Sequence, residues 1–144
     1  APKIDLIKEK ATIHAVLDAI RKGLVKAVHD ISKGGIAIAL AEMCIAGKIG
    51  AYINGSNIPA FDLRIDELLF SETHSRFIVE TDSVSMDEFL GIMKKADIAY
   101  NVIGKVGGEA LKFSYKNEKE LISIRISDLK DGWLGSIPKC MGET

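Results

Sequence analysis

Little in this sequence is extreme, and each absence narrows what it can be. Only two cysteines occur, Cys44 and Cys140, in neither a CxxC nor another metal-like spacing. That excludes a disulfide-built scaffold and points to a reducing, cytoplasmic setting. Charge of one sign is missing too: the formal net charge is -1, with acidic and basic residues interleaved. No field marks nucleic acid or a membrane surface as a partner. The longest apolar run, residues 36–43, is broken by Glu42 and is too short to span a bilayer. Residues 1–10 lack the apolar run and cleavage site of a signal peptide. There is no internal repeat, low-complexity linker, P-loop or metal-type His/Cys spacing. The chain opens at Ala1 without an initiator Met, as an excised domain or a Met-processed one would.

What is present suits one soluble domain over residues 1–144, because 47% apolar residues are ample for a core. Ile13, Val16, Leu17, Ile20 and Leu24 recur at helical spacing and predict an amphipathic helix ending at Gly23. Residues 25–29 read as a short strand covered on both faces. A helix should follow from Gly34 or Gly35 to Ala46, with Gly47 as its stop. Only Glu42 interrupts its apolar surface, so it is expected to be buried on all sides, with another domain or subunit helping to cover it. Residues 50–54 predict a strand and residues 54–57 a turn. Phe61, Ile65, Leu68 and Leu69 stripe a helix running toward Glu72, and residues 76–80 alternate as a strand.

Ser85 and Glu88 have the spacing of a capping box before a helix with Phe89, Ile92, Met93 and Ala96 on one face. Lys94 and Lys95 suit its C-terminal end. Residues 98–103 predict a strand, after which Gly104, Gly107 and Gly108 break regularity. Residues 111–115 and 122–126 should pair as a hairpin around the polar residues 116–119. A last helix carrying Leu129 and Trp133 should be interrupted near Pro138. The sum is an α+β fold, a mixed β-sheet flanked by α-helices.

Two stretches could carry chemistry. His29-Asp30-Ile31-Ser32-Lys33-Gly34-Gly35 ends a strand and opens a helix, where bare backbone N–H groups and the helix dipole can hold an anion. Asp30 would repel a phosphate there unless Mg²⁺ bridged the two. The same residues also fit a plainer role, in which Asp30 or Ser32 caps the helix and the glycines permit close packing. The second stretch, Ser71-Glu72-Thr73-His74-Ser75, is polar and lies between a helix and a strand, as the lining of a cleft would. Its plainer reading is a solvated turn with Glu72 paired to Arg76. His74 could titrate near neutral pH, but no Ser or Cys marks a nucleophile. His14 reads as a packing or surface residue.

Taken together, these stretches resemble the last domain of phosphoribosylformylglycinamidine synthase, in the superfamily of aminoimidazole ribonucleotide synthase. The likeness is carried by residues 23–43, centred on His29-Asp30-Ile31-Ser32-Lys33-Gly34-Gly35, and by Leu69-Phe70-Ser71-Glu72 with Ser75-Arg76-Phe77. It continues through Ile103-Gly104-Lys105-Val106 and the closing hairpin. Lys33 stands where the family often has an acidic residue, and Ile36 where Leu is common.

The resemblance implies an ATP-dependent ligase of purine biosynthesis. Such an enzyme turns formylglycinamide ribonucleotide, ATP and glutamine-derived ammonia into formylglycinamidine ribonucleotide, ADP and phosphate. It implies an aminoimidazole ribonucleotide synthase C-terminal-domain-like fold that is inactive alone, its catalytic residues lying in other domains. It also implies Mg²⁺ and ATP or ADP as cofactors. His29, Asp30, Ser32, Gly34, Gly35, Glu72, Thr73 and His74 are the expected nucleotide or phosphate contacts, and Asp30 the metal ligand. Implied partners are the other domains of the same synthetase subunit, a glutaminase subunit and a small accessory subunit; a homodimer of the isolated domain is compatible. The alternatives are a ligand-free scaffold for subunit packing and another superfamily member: a selenophosphate synthetase, a thiamine-monophosphate kinase or a hydrogenase maturation factor. Those members share the Asp and Gly-rich turn, but not the full Phe70-Ser71-Glu72 to Ser75-Arg76-Phe77 pattern.

Overall fold

The structure, a computed structural model, describes residues 5–59 and 63–142. Phe61, expected on a helix, lies outside them. The fold is α+β, in two compact units that are each discontinuous in sequence. One draws on residues 1–39 and 59–101, the other on residues 40–58 and 102–144.

In the first unit, helix α1 (Leu6–Arg21) starts where the Asp5 carboxylate accepts hydrogen bonds from the Ile7 and Lys8 amides, both at 3.1 Å. Its buried residues are Ala15, Val16 and Ala19. Ala15 and Ala19 pack with Phe89 and Met93 of helix α4 (Met86–Lys95). The expected stripe lies off this face: Val16 and Leu24 are buried, but Ile13, Leu17 and Ile20 are 45%, 39% and 42% exposed. Small side chains let the two helices approach closely, so the alanines, not the larger residues, select the buried face.

Strand β1 (Ala27–Asp30) pairs antiparallel with β3 (Phe77–Glu80), Ala27 opposite Glu80 and Asp30 opposite Phe77. Exposed and half-buried residues alternate along β1, with Val28 exposed, so it is not covered on both faces as its sequence suggested. Helix α3 (Ile65–Phe70) buries Leu68 and Leu69. The capping box at Ser85 does not form. Ser85 is in the helical region and its side chain makes no capping bond, while the Asp82 carboxylate accepts the Ser85 amide at 2.8 Å. An Asp three residues upstream has taken the role that the box assigns to Glu88, accepting the amide of Ser85.

Helix α2 (Gly35–Gly47) runs from the first unit's residues into the second's. Ile36, Ala39, Leu40 and Cys44 are buried, and every other residue from Ala37 to Ile45 is half-buried. The described residues alone therefore do not bury this apolar helix on all sides.

The second unit holds a four-stranded sheet of order β4-β2-β5-β6: β4 (Gly104–Val106), β2 (Ala51–Asn54), β5 (Ala110–Tyr115) and β6 (Glu118–Arg125). It is mixed, β2–β5 parallel and the other pairs antiparallel. Ala51 lies beside Leu111 and Ile53 beside Phe113, and all four are buried. The expected strand over residues 98–103 is absent, and β4 begins where regularity was expected to fail. A Cβ on Gly104 would strike the Tyr52 carbonyl, so this glycine serves backbone approach within the ladder. The hairpin forms with a tighter turn than expected, since Glu118 already pairs with Tyr115. Helix α5 (Ile126–Cys140) carries a 56% exposed Trp133 and continues through Pro138. So near the helix end the proline removes one donor without stopping the last turn.

Candidate functional site

Both polar stretches belong to the first unit. β1 delivers Asp30 to its C-terminal end, and the chain reaches α2 through Gly34 and Gly35, whose φ angles of +77° and +68° favour glycine. Gly35 has a second reason: a Cβ there would lie 2.5 Å from the Leu69 carbonyl oxygen and 2.7 Å from Phe70 Cα. The start of α2 thus rests directly on the backbone at the end of α3. That close approach brings residues 71–76 beside the β1–α2 loop.

The stretches are tied where the Gly34 amide donates to Glu72 Oε1 and the Ile31 amide to the Arg76 carbonyl, each at 2.9 Å. The Gly35 amide donates to Ser32 O at 3.2 Å. Amides expected to be bare are therefore engaged by the protein itself, and the helix N-terminus is already matched to a carboxylate. Residues 71–76 are shaped by Arg76. Its Nη2 donates to the Ser71 carbonyl and, at 3.2 Å, to Ser71 Oγ, while Nε donates to the Thr73 carbonyl at 3.2 Å. The expected Glu72–Arg76 pair is not what these groups form: the carboxylate turns to Gly34 and the guanidinium to neutral oxygens. Burial lowers the Arg76 pKa from its ordinary value.

Between the stretches opens a cleft of about 370 Å³. Asp30, Ile31, Ser32 and Lys33 line one side, and Glu72, His74, Ser75, Arg76 and Phe77 another, with Glu9 and Ile13 contributed by α1. Of the expected contacts, Asp30, Ser32, Glu72 and His74 reach the cleft. The Asp30 side chain is 64% exposed. His29, Gly34, Gly35 and Thr73 do not line it and act as its frame. His29 Nδ1 lies 2.6 Å from the Asp30 carbonyl oxygen, and Thr73 lends its carbonyl to Arg76. The lining residues not expected as contacts are Glu9, Ile13, Ile31, Lys33, Ser75, Arg76 and Phe77. All but Glu9 and Ile13 lie in the two stretches or in Ser75-Arg76-Phe77; those two come from α1, which no local pattern linked to the loop. His14 is exposed on α1, as expected.

Among the described residues, no three His, Cys, Asp or Glu side chains gather as a self-sufficient metal site. No described helix is long and apolar enough to cross a membrane.

Comparison with known proteins gives this arrangement a context. The family described as "AIR synthase related protein, C-terminal domain" matches residues 1–116. The phosphoribosylformylglycinamidine synthase subunit PurL of Thermococcus gammatolerans is 40% identical over 143 residues, covering 99% of this chain and 19% of that protein. The PurL of Methanocaldococcus jannaschii is 37% identical over 142 residues, again 99% of this chain and 19% of the relative. The chain thus spans about a fifth of the length of these curated relatives. Among solved structures, Thermotoga maritima PurL complexed with ATP superposes with a TM-score of 0.79 at 26% identity, over 88% of this chain and 22% of that one. A PurLQS structure from the same organism gives the same four values.

Proposed function

The chain belongs to the family of the AIR synthase related protein, C-terminal domain, and from that membership we propose that it is the final domain of a phosphoribosylformylglycinamidine synthase subunit, with a cleft for a Mg²⁺-bound nucleotide phosphate. The whole subunit would join glutamine-derived ammonia to formylglycinamide ribonucleotide at the expense of ATP. This domain would contribute binding groups and leave the reacting centre to other domains. The observation that carries the site reading is that Asp30 and Glu72, distant in sequence, line one cleft. Relatives of the same fold solved with ATP, ADP and AMPPCP support it.

The donor set fits Mg²⁺ and not a metal that needs a full protein cage. Mg²⁺ keeps waters and phosphate oxygens and takes one or two carboxylates from protein, which is what Asp30 and Glu72 offer. Asp30 would be the principal ligand. When bound, the ion would neutralise phosphate charge and so lift the repulsion from the carboxylates. The chain's own groups do the rest: Gly34 holds one oxygen of Glu72, Ser32 and His74 offer hydrogen-bonding groups, and Lys33 adds positive charge. The single-domain reading over residues 1–144 belongs to the proposal, as do the cytoplasmic setting and the partners: the remainder of the subunit, a glutaminase subunit and a small accessory subunit. The PurLQS structure supports the partners.

Isothermal titration of Mg-ADP into the full-length subunit tests this. Asp30→Asn should remove one Mg-dependent binding event; unchanged stoichiometry and affinity would defeat the site. The engaged Gly34 amide favours a second reading, a scaffold that binds nothing, and the unchanged outcome is what that reading expects.

A further inference from the structure

The six residues from Ser71 to Arg76 form a loop with an internal brace. Arg76 donates to the carbonyls of Ser71 and Thr73, the two residues flanking Glu72, and to the Ser71 hydroxyl. The backbone on both sides of Glu72 is thereby fixed by one planar guanidinium. Ser75 sits at φ +64°, a conformation an L-residue leaves readily unless the surrounding loop holds it. Glu72 itself makes a single bond among the described residues, Oε1 to the Gly34 amide. Its carboxylate therefore reaches the cleft only as well as its backbone is placed.

We propose that Arg76 is a positioning residue for this cleft, acting through Glu72: by clamping Ser71 and Thr73 it presents the Glu72 carboxylate to Gly34 on one side and to the metal-bound phosphate on the other. This rests on the nucleotide reading above and assigns to it a residue that does not itself bind the ligand. Lysine cannot substitute, because one ammonium lacks the rigid fork that meets Nε and Nη acceptors at once. The pairing is with neutral oxygens, so the guanidinium is used for its geometry; no described carboxylate claims its charge.

The test is a double-mutant cycle in the full-length subunit, read as Mg-ADP affinity by calorimetry. Arg76→Ala and Glu72→Ala should each weaken binding by about ten-fold, the scale of a lost charge-assisted hydrogen bond. Arg76→Lys should behave like Arg76→Ala. The double variant should bind no more weakly than Glu72→Ala alone, because one pathway is broken once. A role confined to stability would lower the unfolding temperature without that non-additivity. Losses that multiply, or an Arg76→Lys protein that binds like wild type, would overturn the proposal. If Arg76→Ala does not fold, Arg76→Lys takes its place in the cycle. Failure of the underlying site is separately visible: Asp30→Asn would then leave Mg-ADP binding unchanged, and both readings fall together.

Discussion

The two units use glycine and polar groups in opposite ways. In the second, Gly50, Gly55 and Gly104 sit where a Cβ would strike neighbouring strands or the Phe113 ring, and order is shared among the rungs of four strands. In the first, Gly34 and Gly35 turn the chain at positive φ, and a two-stranded ribbon is supplemented by single side-chain ties: Glu72 to Gly34, Arg76 to Ser71 and Thr73, Asp82 to Ser85. A ladder distributes its stabilisation, so loss of one contact is absorbed. A loop held by individual side chains can place chemistry with precision, but each tie is a point of failure.

Substitutions can break that contrast. The largest expected effect lies in the sheet unit, where Phe113→Ala should cost about 3–5 kcal/mol in chemical denaturation, since its ring is almost wholly buried. Mg-ADP affinity should remain unchanged in the fraction that folds. Gly35→Ala should cost about 2–4 kcal/mol, from overpacking against Leu69 and Phe70 together with positive φ, and should also abolish Mg-ADP binding. Gly23→Ala is its control: φ is +73°, but nothing lies within 4 Å of the new Cβ, so only about 1 kcal/mol is expected.

Asp82 sharpens the comparison through pH. Its hydrogen bonds from Ser85, then Lys26, hold its pKa below the ordinary carboxylate value. A depressed folded-state pKa means the tie stabilises at pH above the unfolded carboxylate range and fades as pH falls through the lower folded value. The gap in unfolding temperature between wild type and Asp82→Asn should therefore be present at pH 7 and close in acid. A gap as wide in strong acid as at pH 7 would refute the assignment. The smallest effect belongs to Ser85→Ala: its side chain makes no cap bond, and the change removes only the side-chain share of the Asp82 tie while the amide bond stays, so the unfolding temperature should fall by less than in Asp82→Asn.

Much of the architecture was legible because periodicity reports burial where packing is regular. Helix α2 with its Gly47 end, the β5–β6 hairpin and the apolar face of α4 follow from spacing alone. The misreadings share a cause, competition between partners that spacing does not rank. On α1 the alanines won the interface from the isoleucines. Before α4 the Asp82 carboxylate accepted the Ser85 amide, the donor that the capping box reserves for Glu88. In the loop, Glu72 took Gly34 and left Arg76 to the carbonyls. Proximity of Asp30 to Glu72 was legible only through family resemblance, since it depends on Gly35 lying against Leu69 and Phe70, a contact that no local pattern encodes.

The order of the sheet also bears on how the chain is made. β2 is an interior strand, yet both its neighbours come much later: Ala51 waits for Val106 on one side and Leu111 on the other. During synthesis the strand and the apolar helix before it emerge with no ladder to join, and such non-local closure is slow. A nascent chain stalled before Gly104 should accordingly be recognised by chaperones, and release of aggregation should coincide with emergence of β5 from the ribosome.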